Sequence, residues 1–110
     1  MTMSYIYVIT NLINQKQYIG YTSRTIARRF YEHIWEAYDN DDEEKNSALH
    51  NAIRKYGSCN FIVEQVKEFN ENEFNWEEME KHYIQAYNSL VPNGYNICKG
   101  GNKPPIHYGD

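Results

Sequence analysis

Arg29 and His33 stand four residues apart in the run Arg24-Thr25-Ile26-Ala27-Arg28-Arg29-Phe30-Tyr31-Glu32-His33-Ile34. At about 100° per residue a helix puts both on one flank of an apolar stripe formed by Ala27, Phe30, Ile34 and Tyr38. A guanidinium there can cancel charge on anionic oxygens, and an imidazole can move a proton near neutral pH. Arg29 is equally placed for an ordinary helix ion pair with Glu32 or Glu36. Arg24 and Arg28 point further round, towards solvent. Downstream, Glu80 falls roughly 60° from the centre of a Trp76/Met79/Tyr83 stripe, while Glu73, Glu77 and Glu78 belong to the solvated face. A carboxylate at the edge of a buried stripe is costly unless it meets a cation or a metal ion. Tyr7 and Tyr18 complete the set: on adjacent strands, alternation lets both phenols reach one pocket. With eleven tyrosines in the chain, most must be core or interface aromatics, and Tyr5 and Tyr21 are read that way.

The elements that must position these groups follow from local pattern. Tyr5-Ile6-Tyr7-Val8-Ile9-Thr10 is aromatic and β-branched, a strand signal. Asn11 to Lys16 supplies turn residues, and Gln17-Tyr18-Ile19-Gly20-Tyr21 returns, which makes a hairpin with a longer loop. Gly20 marks a place needing small size or unusual backbone angles. Thr22 and Ser23 are N-cap candidates for a helix from about Arg24 to Tyr38. Ser47 caps a second helix through Leu49, Ile53 and Tyr56, ended by Gly57. Phe61 to Phe69 reads as a third strand. Asn72 or Asn75 starts a third helix, with Asn75 and Glu78 spaced as a capping box and Trp76, Met79, Tyr83 and Tyr87 on its apolar stripe. Asn93-Gly94 signals a turn, and Tyr95 to Cys98 reads as a short extended segment. The expected fold is α+β: a small three-stranded antiparallel sheet flanked by helices in the order ββααβα. Residues 1–98 form one domain and residues 99–110, with three glycines and two prolines, a loose tail.

Net charge is −4, which argues against a strong sequence-independent grip on DNA. Its distribution says more. Residues 39–45 and 70–81 each carry five acids against one lysine, so the remainder is basic and a cationic face with acidic backs can form. No apolar run reaches the length of a membrane span, and the first residues lack the pattern of a secretory signal. Cytoplasm, or a host's cytoplasm for a viral source, is the expected compartment. Cys59 and Cys98 form no metal-binding pattern and are read as reduced core residues. His50, His82 and His107 share no ligand spacing and are read as structural or exposed. Zinc is not expected on these grounds.

Two triplets, Tyr5-Ile6-Tyr7 and Tyr18-Ile19-Gly20, bring the chain to a nameable resemblance. Over roughly residues 4–98 it resembles a GIY-YIG endonuclease domain, with Tyr5 where the family name has glycine. The hairpin and the Asn93-Gly94-Tyr95-Asn96 ending are most similar to the phage homing type. The resemblance implies a metal-dependent hydrolase of DNA phosphodiesters with one Mg²⁺, for which Mn²⁺ is an alternative. It matches Arg29 to the arginine that contacts the scissile phosphate and His33 to a position often held by histidine or tyrosine. Glu80, followed by Tyr83-Ile84, matches the metal-binding glutamate. Asn96 matches the closing asparagine, whose amide would hold a phosphate oxygen or orient a metal-bound water; a turn asparagine bonding its own backbone is the plainer alternative. Tyr7, with Tyr18 second, would activate the attacking water, assisted by His33. Arg24, Arg28, Arg29 and Asn96 are the expected nucleic-acid contacts. A homodimer or a separate targeting partner would supply site specificity. Rival readings are a non-cleaving nucleic-acid-binding module of the same fold and a protein–protein interaction domain anchored by tyrosines.

Overall fold

Alternating Tyr, Ile and Val side chains give the first strand two apolar faces, so it must lie at the centre of a sheet. In the computed structural model, which describes residues 3–39 and 47–97, this is what β1 does. β1 (Met3–Asn11) is flanked by β2 (Gln17–Thr22) and β3 (Phe61–Asn70) in a sheet of order β2-β1-β3. Both pairings are antiparallel. Helices α1 (Ile26–Tyr38), α2 (Ala48–Tyr56) and α3 (Trp76–Tyr87) complete the order ββααβα. The acidic run after Asp39, Cys98 and the residue 99–110 segment lie outside the described residues.

The two faces of β1 build two cores. Tyr7 and Ile9 pack with Ala37 of α1 and Leu49, Ala52 and Ile53 of α2. Ile6 and Val8 pack with Ile19, Phe69 and Ile84 of α3. The sheet is therefore a middle layer between α1/α2 and α3. A register shift in the β1–β3 ladder falls between Ile6 and Tyr7, where the partners jump from Lys67 to Gln65. Such an irregularity bends a strand and re-aims the side chains beside it, and here the side chain beside it is Tyr7.

Four local expectations need correction. The cap of α1 is Thr25, whose Oγ1 accepts from Arg28 N at 3.2 Å; Thr22 instead accepts from Arg24 N at 3.1 Å in a preceding turn. The inward face of α1 is rotated from the stripe inferred: Ala27 and Tyr38 are exposed, while His33 and Ala37 are buried. On α3 the buried residue is Ile84, and Tyr87 is exposed. Cys59 is exposed and free, not a core residue. The Ser47 and Asn75 caps stand as inferred: Ser47 Oγ accepts from His50 N at 3.1 Å, and Asn75 Oδ1 accepts from Glu77 N at 2.8 Å and Glu78 N at 3.1 Å. Gly57 closes α2 with φ +90°, a conformation that side chains resist.

Candidate active site

Tyr7 is opposite Gly20 in the hairpin, and that pairing makes room for its ring. A Cβ at position 20 would lie 2.3 Å from both Tyr7 Cζ and the Tyr7 hydroxyl oxygen. The ring therefore lies across β2 and reaches α1. Its hydroxyl is 2.8 Å from His33 Nε2, in a buried hydrogen bond. Tyr18, diagonal to Tyr7 on β2, sets its ring 6.5 Å from that of Tyr7 and 5.4 Å from His33, edge-on to the imidazole. Three of the inferred site residues thus meet in one cluster.

Arg29, one turn before His33, occupies the mouth of this cluster with its side chain 28 % exposed. The ion-pair reading of Arg29 holds. It pairs with Glu32 at 3.1 Å and Glu36 at 3.6 Å, and its charge acts on the Tyr7 phenol. Glu32 also takes Arg24 at 3.0 Å and Arg28 at 3.5 Å, so one carboxylate gathers three guanidiniums. Slight burial works against ionisation of Glu32, yet the hydrogen bond from Arg29 and the charges around it hold the carboxyl below its usual range.

Glu80 comes from the other layer. Helix α3 lies along β2, the edge strand, where Trp76 stacks on Tyr21 with ring centroids 4.5 Å apart. Glu80 stands in the row Trp76–Glu80–Ile84, half-buried, on the inward side of the helix. It is near enough for its charge to act on Tyr7. Burial is the main cause that pushes the Tyr7 phenol well above its usual range; Tyr18 and Glu80 add to the rise and Arg29 opposes it. His33 is driven the other way, well below the ordinary imidazole range, by burial first and then by Arg29 and His50. At neutral pH the pair is a neutral phenol against a neutral imidazole, which can pass a proton without creating a buried ion at rest.

Asn96 is tied into the protein by both ends of its amide. Its Oδ1 accepts from Ile19 N at 2.8 Å and from Ser89 Oγ at 2.6 Å, and its Nδ2 donates to Ile19 O at 2.9 Å. With Tyr95 N donating to Gln17 O at 2.8 Å, the Asn93–Asn96 segment holds the outer edge of β2. Gly94 permits this approach, since a Cβ there would lie 2.6 Å from Gln17 O.

His50 was missed. It is buried on α2, and its Nε2 lies 3.1 Å from His33 Nδ1 and 3.7 Å from Glu36 Oε1. A ligand atom from each of His33, Glu36 and His50 falls within 4.8 Å of the others, a group able to hold a metal ion, to which Glu80 does not belong. The available signal was helical spacing: His50 precedes Ile53 by three and so shares its buried face. No two histidines are close in sequence here, so ligand spacing alone could not reveal the pair.

A tyrosine from the hairpin, an arginine and a histidine from α1 and a glutamate from α3 thus act on one region of the fold. Residues 3–96 match the family model described as the GIY-YIG catalytic domain, and the chain belongs to the GIY-YIG endonuclease family. It is similar to the catalytic domain of the intron endonuclease I-TevI in mutant form, with TM-score 0.72 and 25 % identity over 89 % of this chain and 96 % of that one. A second structure of the I-TevI homing endonuclease catalytic domain gives 0.66 and 26 % identity, over 86 % and 98 %. An uncharacterized protein, 019R, of Invertebrate iridescent virus 6 is 33 % identical over 108 residues. That match takes in 97 % of this chain, which spans about a third (36 %) of the length of this viral relative. Among the described residues no helix is long and apolar enough to cross a membrane.

Proposed function

We propose that this domain hydrolyses DNA phosphodiester bonds with one divalent ion, Mg²⁺ or in its place Mn²⁺, held by Glu80. The observation that carries the reading is that Tyr7 is reached at once by His33 through a hydrogen bond and by the charges of Arg29 and Glu80. A single half-buried carboxylate suits Mg²⁺, which keeps most of its waters and takes phosphate oxygen as a further ligand. The ion supplies polarisation of the phosphate and stabilisation of the leaving oxygen. Arg29, already partly desolvated, neutralises charge that grows on the phosphoryl oxygens, exchanging its contact with Glu32 for the substrate. Arg24 and Arg28 extend that cationic edge along the DNA backbone.

Tyr7 takes the proton of the attacking water only as it gives its own to His33, since burial makes a standing phenolate unfavourable. Tyr18 backs this transfer by packing against both partners. The test is incubation with supercoiled plasmid and Mg²⁺, with EDTA and with the Glu80→Gln and Arg29→Ala proteins. Cleavage that EDTA stops and that both substitutions abolish is expected; relaxed and linear products separate one cut from two. DNA binding without cleavage across divalent ions and DNA forms would replace this reading with a non-cleaving nucleic-acid-binding module. A targeting partner or a second copy would confer site choice.

A further inference from the structure

We propose that His33, Glu36 and His50 form a second metal site, one that takes a zinc-class transition ion and, when filled, stops the Tyr7–His33 proton transfer. The inhibitory half rests on the nuclease reading above; the binding half stands on geometry alone.

The donors are two imidazole nitrogens and one carboxylate oxygen, a set that selects zinc-class ions over Mg²⁺. Around a tetrahedral zinc with bonds of about 2.0–2.1 Å, ligand atoms lie about 3.3 Å apart. His33 Nδ1 and His50 Nε2 are 3.1 Å apart, His50 Nε2 and Glu36 Oε1 are 3.7 Å apart, and all three fit within 4.8 Å. Two ligands come from one turn of α1 and the third from the facing α2, so the ion would bridge helices that are already packed. The far side of each α1 ligand is already oriented. His33 Nε2 meets the Tyr7 hydroxyl at 2.8 Å, and Glu36 Oε2 meets Arg29 at 3.6 Å. Outer contacts of this kind fix ligand orientation in protein metal sites. The Glu36 side chain is 31 % exposed, against 9 % for His50, which gives an ion a route from solvent and leaves a fourth position for water.

The consequence for the reaction follows from the tautomer. An ion on His33 Nδ1 requires the imidazole proton to sit on Nε2, where the N–H donates to the Tyr7 oxygen. His50, bound through Nε2, carries its proton on Nδ1. A neutral pair reaches this state by relocating protons, with none released. His33 then has no lone pair facing Tyr7 and accepts no proton from it. Mg²⁺ in excess does not reverse this, because it competes for a different carboxylate.

The experiment titrates the metal-free protein with Co²⁺, a visible-absorbing stand-in, and then displaces it with Zn²⁺. One equivalent is expected to give tetrahedral Co²⁺ absorption without a thiolate charge-transfer band, which excludes the exposed Cys59 as ligand. His50→Ala and Glu36→Gln abolish that signal; Glu80→Gln retains it. Glu36 is partly exposed, so its replacement tests the site even if the His50 variant unfolds. In the cleavage assay one equivalent of Zn²⁺ stops cutting, and raising Mg²⁺ does not restore it. No stoichiometric binding by folded protein, a signal unchanged in both variants, or a thiolate band overturns the site. Restoration by Mg²⁺ overturns the inhibitory role. Binding at the site in a protein that never cuts refutes the nuclease reading and the inhibitory half while the metal site stands.

Discussion

Asn96 grips the backbone of Ile19 by both ends of its amide, accepting from the N–H at 2.8 Å and donating to the carbonyl at 2.9 Å. Ile19 is on β2, an edge strand, and lies opposite Val8 of β1. The amide therefore satisfies an edge that has no further strand to pair with. Removing it leaves two buried backbone groups and Ser89 Oγ short of partners. Asn96→Ala is expected to cost about 3 kcal/mol, read by urea unfolding. The Mg²⁺ concentration giving half-maximal cleavage should stay the same in whatever protein remains folded; a large increase would point back to a role at the metal.

Gly20 is a spacing device for Tyr7. An added methyl would sit 2.3 Å from the Tyr7 ring carbon Cζ, and Tyr7 is buried with its hydroxyl tied to His33. Gly20→Ala is expected to destabilise by about 1–3 kcal/mol through overpacking, and to abolish cleavage well below its melting temperature. Full cleavage in that variant would mean that Tyr7 needs no fixed position.

Glu32 offers a carboxylate where a DNA phosphate would be expected to sit. It collects Arg24, Arg28 and Arg29. Exposed pairs of this kind contribute only about 0–1 kcal/mol to stability, so Glu32→Gln should barely move the melting temperature. DNA binding should tighten at low salt, and the dependence of log affinity on log salt should steepen by about one. Fluorescence anisotropy across a salt series measures both; weaker binding would mean that Glu32 orders the arginines for DNA.

The buried His33 gives stability a definite acid limb. Its folded pKa lies well below the ordinary 6.5, so between the two values the unfolded chain binds more protons. Stability then rises with pH across that window and is lost as pH falls from 6.5 towards the folded value. Tyr7 acts at the opposite end: its raised pKa means that the unfolded phenol ionises first, and stability drops as pH climbs past 10. Urea unfolding at pH 5 to 8 should show the acid limb in the native protein and a flatter one in His33→Gln. An equal slope in both proteins would assign the limb to other groups.

The strands, the three helices and the Ser47 and Asn75 caps were legible because each is set by neighbours in the chain. Pattern also picked out Tyr7, Tyr18, Arg29, His33 and Glu80 as candidates. It misjudged the rotation of α1, because Phe30 and Ile34 outweigh a histidine on any hydrophobic scale, yet His33 is the residue buried against β1. That choice is made by partners, the Tyr7 hydroxyl and His50, which come from other elements. His50 and the Asn96 amide escaped for the same reason: their contacts span 17 and 77 residues of sequence. The ladder shift beside Tyr7 depends on how β3 is matched to β1, which neither strand encodes alone.

The order of these parts along the chain has a consequence during synthesis. Tyr7, Arg29 and His33 leave the ribosome before Glu80, and the asparagine that fastens β2 follows later still. Chains that end before Asn96 lack the fastening, and the buried backbone groups of Ile19 then go without these partners. On the nuclease reading proposed above, such shortened chains are expected to cleave poorly for want of stability.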